Sequence, residues 1–198
     1  MTTQNAARIT VINVLKTEGI TKLKPFTIDS HNFSPLYLMS MAWEIENNYM
    51  FVEYDSSLNG AAEYNSVNET LKVGFSWAHT VSRQAIIVHE TTHAMFDFKG
   101  RPMDIATSEA FAYIAQCQYA LVCGIPLEGS LTSKQLAKEA EKGLNSNKVF
   151  EIGVKIARNL LGGATLSSSE VAEIRSAISV HRFYSNCHAQ TANYDGYL

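Results

Sequence analysis

The sequence predicts an α+β fold, and three features carry that expectation. A strand pair with a polar turn stands near residues 60–75, a long apolar-periodic helix follows it, and the C-terminal half reads as mostly helical. With 198 residues against roughly 150 per domain, one domain spanning 1–198 is expected. A chain of this length buries about 70% of its unfolded surface, enough for a core without covalent staples. The 46% apolar and 18% charged content excludes a disordered or fibrous chain.

The elements follow in order. Residues 5–16 form a weak helical patch; residues 35–50 form a stronger one, with Ser34 as N-cap and Pro35 at the first helical position. Residues 60–64 and 70–75 flank the turn at 65–69. In the second arm Leu71, Val73 and Phe75 alternate with Thr70, Lys72 and Gly74, the period of a half-buried strand. Thr80 or Ser82 caps a helix that runs to Gly100, whose missing Cβ suits a left-handed stop. A second long helix covers residues 105–122 and ends at Gly124. Three more are expected: one opened by the capping box Thr132-x-x-Gln135, one over 148–161, and one opened by Ser167-x-x-Glu170.

Composition narrows the partners. A net charge of −3 offers no basic footprint for nucleic acid or an anionic membrane. The longest apolar run, 110–123, is broken by Gln116 and Gln118 and falls short of the ~20 residues that span a bilayer. The polar N-terminus lacks the apolar core of a signal peptide, so a soluble, cytoplasmic protein is expected. Three cysteines without a C-x-x-C pair make no disulfide framework; Cys117 and Cys123 read as core residues.

The chemistry concentrates in His89-Glu90-Thr91-Thr92-His93, an H-E-x-x-H motif inside the first long helix. Four residues turn a helix through about 400°, so both imidazoles project from one face and can bind one metal ion. Glu90 lies one step round, placed to act on a zinc-activated water as general base in an attack on a carbonyl. For this His and Glu usage roughly 0.013 such motifs arise by chance, and Ile87, Val88, Ala94 and Met95 give it the apolar flanks of a partly buried site. A catalytic zinc needs a third protein ligand. Phe96 and Lys99 break the longer HExxHxxGxxH pattern, and Asp97 is two turns from His89. Glu109 is the better ligand, heading an apolar helix after the turn at 99–103.

HETTH followed by the segment Ser108-Glu109-Ala110-Phe111-Ala112-Tyr113 resembles the gluzincin branch of the zincin metallopeptidases, over residues 60–124. It also resembles small bacterial zincin-like proteins with a strand pair, HExxH and an E-A-x-A-Y helix. The resemblance implies a zincin-like fold, Zn2+ held by His89, His93 and Glu109, and a peptide or protein substrate. It also implies that residues 71–75 form the sheet edge beside the cleft, where an extended peptide would pair. The chain departs from the family at Ser108, where Asn is frequent, and at Tyr113, where an Asp often supports the first His. An oxyanion also needs a donor; Tyr113, Tyr119, His181, Tyr184 and His188 are open alternatives. His181 and Tyr184 stand at a separation similar to that of the downstream His donor in the thermolysin-like branch. His31 and His79 are read as having no role in the site. A zincin-like protein without turnover, acting as a binding or regulatory module or a delivered effector, is the second functional reading, and a metal-free helical interaction protein the third. The oligomeric state is left open.

Overall fold

The computed structural model describes residues 1–124, 147–181 and 191–192. The helix expected at the Thr132 capping box, and residues Tyr184 and His188, lie outside them. The architecture is α+β. Helix α1 (Thr3–Leu15) is followed by the single turn α2 (Glu18–Thr21), a hairpin of β1 (Phe26–Ile28) and β2 (His31–Phe33), and α3 (Pro35–Glu46). Then come β3 (Phe51–Tyr54), β4 (Ala62–Asn65) and β5 (Thr70–Val73), and the long helix α4 (Val81–Asp97). Strand β6 (Met103–Asp104) leads into α5 (Ile105–Val122); α6 (Asn147–Leu161), α7 (Ser168–Ser179) and β7 (Thr191–Ala192) complete the described chain.

Local signals account for the ends of these elements. Thr80 caps α4 by accepting from the Arg83 N–H, and Gly100 adopts φ 55°, the left-handed stop that favours glycine. Ser167 and Glu170 make the expected capping box at α7. Helix α3 stops at Glu46 instead of reaching residue 50. Asn48 takes φ 62°, a left-handed conformation that Asn tolerates, and turns the chain into β3.

That turn changes the sheet. Its order is β3-β5-β4, with β3 parallel and β4 antiparallel to β5. Residues 71–75 are therefore not the sheet edge: β5 is the central strand, hydrogen-bonded on both sides, and β4 is the edge that lies against α4. The opposite edge, β3, is closed by the Gln4 amide, which donates to the Val52 carbonyl and accepts from the Tyr54 N–H at 2.8 Å.

Helix α5 is buried almost all round, as a helix apolar on every side must be. It packs on α4, α6 and α7. Phe111 meets Phe96 of α4 at 4.5 Å and Phe26 of β1 at 5.3 Å between ring centroids, so the hairpin closes over the joint between the two long helices. Burying one such ring is worth about 1.5–3 kcal/mol. Of the two amides in this helix, Gln118 pairs with the Lys24 backbone, accepting from its N–H at 2.7 Å and donating to its carbonyl at 3.2 Å.

Asp104 sets where α5 begins. Its carboxylate accepts from the Thr107 N–H at 2.9 Å and from the Thr107 hydroxyl at 2.5 Å. Partial burial raises its pKa, but the Thr107 bonds and nearby Arg175 outweigh this and hold it below the usual Asp value. A depressed carboxyl stabilises the fold above its unfolded pKa of about 3.9, and the contribution is lost as pH falls through the lower folded value. Asp104→Ala is therefore expected to cost about 1 kcal/mol at neutral pH, as N-cap loss does. Thermal melts across pH should show parent and variant converging below about pH 4.

Candidate metal centre

Helices α4 and α5 bring three donor side chains together. His89, His93 and Glu109 each offer one ligand atom, these atoms all lie within 4.8 Å of one another, and the group could hold a metal ion. The Glu109 carboxylate divides between the imidazoles, with Oε2 at 3.4 Å from His89 Nε2 and Oε1 at 3.6 Å from His93 Nε2. The two rings stand 5.1 Å apart at 72°, as four-residue spacing on a helix requires.

The far nitrogens are also held. His89 Nδ1 meets Gln116 Oε1 at 2.9 Å, and His93 Nδ1 meets Ser108 Oγ at 2.8 Å. Both rings thus turn Nε2 toward Glu109, the arrangement in which a second partner orients a ligating histidine. Tyr113 packs its ring on His89 at 4.7 Å between centroids and on Phe150 at 5.2 Å.

Glu90 lies against the sheet edge. Its Oε2 accepts the Tyr64 backbone N–H at 2.9 Å, and the Tyr64 hydroxyl donates to Asp97 Oδ2 at 2.6 Å two turns further along α4. Strand β4 is thereby laid along the helix face that carries Glu90 and Asp97. Asp97 has a helix-end role here, receiving the strand's tyrosine.

Burial dominates the proton affinities. It pushes Glu90 up to about 7, aided by the Glu109 charge and opposed by His89 and the Tyr64 N–H. It pushes His93 down to about 4, so this imidazole is neutral, the form that ligates a metal. Burial lowers His89 too, but the close Glu109 carboxylate and the charge of Glu90 outweigh that, leaving the net pKa above the usual imidazole value.

No protein-family model, characterised protein or solved structure matches the chain.

The expected residues divide as follows. His89, Glu90, His93, Glu109 and Tyr113 come together at the α4–α5 joint. His181 is buried just beyond α7, its N–H bonded to the Ile178 carbonyl at 2.9 Å. Tyr119 is fully buried elsewhere on α5, its hydroxyl between Thr17 Oγ1 and Gln84 Oε1 at 3.2 and 3.1 Å. His31 packs edge-on to Phe96 and His79 stacks on Trp77. Burial pushes the Cys117 thiol up to about 12, which suits an inert core residue. Among the described residues no helix is long and apolar enough to cross a membrane.

Gln116 is the residue that sequence reasoning missed. It stands seven residues after Glu109, so both fall on one face of α5. A buried amide in an otherwise apolar helix demands a partner, and that was the available signal.

Proposed function

We propose that this protein is a zinc-dependent metallopeptidase of zincin-like, gluzincin-type fold, with His89, His93 and Glu109 as metal ligands and Glu90 as general base. The spacing of the donor atoms carries the reading. Bonds of about 2.0–2.1 Å in a tetrahedral zinc site separate neighbouring ligands by about 3.3 Å. The 3.4 and 3.6 Å contacts, one from each Glu109 oxygen to its own imidazole, lie close to that edge, and one donor atom from each of the three residues lies within 4.8 Å of the others. Two imidazole nitrogens and a carboxylate oxygen are a donor set that suits zinc, and three protein ligands leave a position for water.

Bound zinc would lower the pKa of a coordinated water and polarise a substrate carbonyl. The remaining work falls to the chain. Glu90 takes the proton that the attacking water gives up and delivers it to the leaving amine. The Tyr64 N–H and the α4 backbone hold its carboxylate in place for both steps. The substrate on this reading is a peptide or protein.

Zinc content and turnover test it together. The purified protein is expected to hold about one zinc per chain and to cleave unstructured peptides, and a chelator should abolish cleavage. Chelation should lower the melting temperature by about 5–10 °C where free zinc had stood a hundredfold above its Kd. Far-ultraviolet circular dichroism should persist, because the helical core stands without the ion. A chain without zinc overturns the reading; zinc without cleavage favours the binding module.

A further inference from the structure

We propose that Gln116 is the positioning residue of this centre: it fixes His89 in the Nδ1–H tautomer, which leaves Nε2 bare and aimed at the metal position. The inference rests on His89 being a metal ligand. Two hydrogen-bond acceptors compete for the single proton of neutral His89. Gln116 Oε1 lies 2.9 Å from Nδ1, at the centre of the normal range, whereas Glu109 Oε2 lies 3.4 Å from Nε2, beyond it. The shorter contact takes the proton.

The chemistry of the partner matters as much as its distance. A carbonyl oxygen can only accept, so Gln116 Oε1 at Nδ1 leaves one tautomer available. Ser108, which faces His93, is a hydroxyl that can either donate or accept, so its chemistry alone does not select a tautomer. In the neutral ring, the burden of leaving Nε2 bare falls on Gln116. Its burial beside His89 and their common place at the α4–α5 joint keep water from substituting for the amide. Being neutral, the amide orients the ring without adding a third negative charge to Glu90 and Glu109.

The variants are Gln116→Leu, which removes the acceptor at similar volume, and Gln116→Glu, which restores a stronger one. Zinc affinity is read by competition with a chromophoric chelator, with circular dichroism and thermal melts of each metal-free protein as the control for folding. Gln116→Leu is expected to bind zinc about ten- to a hundredfold more weakly, the effect of losing such a partner. Gln116→Glu should bind at least as tightly as the parent. An equal affinity in Gln116→Leu overturns the proposal, as does a loss that Gln116→Glu fails to rescue. A second readout needs no zinc. Long-range 1H–15N correlation spectra of the metal-free parent, recorded at alkaline pH, should show His89 protonated on Nδ1; protonation on Nε2 overturns the proposal. Absence of zinc from a parent whose His89 is the Nδ1–H tautomer would count against the metallopeptidase reading and leave the tautomer assignment standing.

Discussion

Glu90→Gln is expected to lower peptide hydrolysis by about a hundredfold or more while zinc content stays at the level of the parent. The amide keeps the size of the side chain and can still receive the Tyr64 N–H through its carbonyl oxygen. What it loses is the capacity to accept a proton from water. Glu90 is no ligand in this arrangement, because the donor atoms that converge belong to His89, His93 and Glu109. The measurement is a turnover rate on an unstructured peptide beside a metal assay on the same sample. Undiminished hydrolysis removes Glu90 from the mechanism, and lost zinc would make it a structural residue of the centre.

Glu109→Ala is expected to lose stoichiometric zinc altogether. The change leaves two imidazoles on one helix and no oxygen from the facing one, and two ligands do not make a catalytic zinc site. The loss should exceed the ten- to hundredfold that removal of a supporting hydrogen-bond partner costs. Asp97→Asn is the control, since Asp97 is engaged by the Tyr64 hydroxyl and lies a full turn past His93. That variant should keep most of its zinc. Anomalous scattering from crystals of the metal-loaded parent provides the direct check. A metal about 2.0–2.2 Å from the Glu109 carboxylate supports the assignment, and a metal held by any other carboxylate removes it.

Much of the candidate centre was legible because two of its three donor side chains, His89 and His93, share one helix. The separation of His89 from His93 is set by covalent spacing and helical pitch, whatever the rest of the chain does. Capping chemistry is equally local. Thr80, Asp104 and Ser167 each satisfy a backbone N–H three residues on, and Thr80 and Ser167 are among the caps the sequence predicts. Glu109 followed from the cost of a carboxylate on an apolar helix.

The hairpin of β1 and β2 is not legible in the sequence, because three-residue strands are too short to show a period. Strand β3 was absorbed into the apolar run of the preceding helix, whose end depends on the backbone conformation of Asn48. The rank of β5 as the central strand then followed from β3, a partner found only in three dimensions.

By itself, then, the sequence determined the α+β class, the helix starts and the facing pair of imidazoles, since each arises from interactions within a few residues along the chain. The tertiary structure decided which strand borders α4, which amide orients His89 and which N–H meets Glu90. Those contacts depend on the angle and depth at which α4, α5 and the sheet pack, and these are set by the shapes of side chains such as Phe96, Phe111 and Tyr64 fitting against one another.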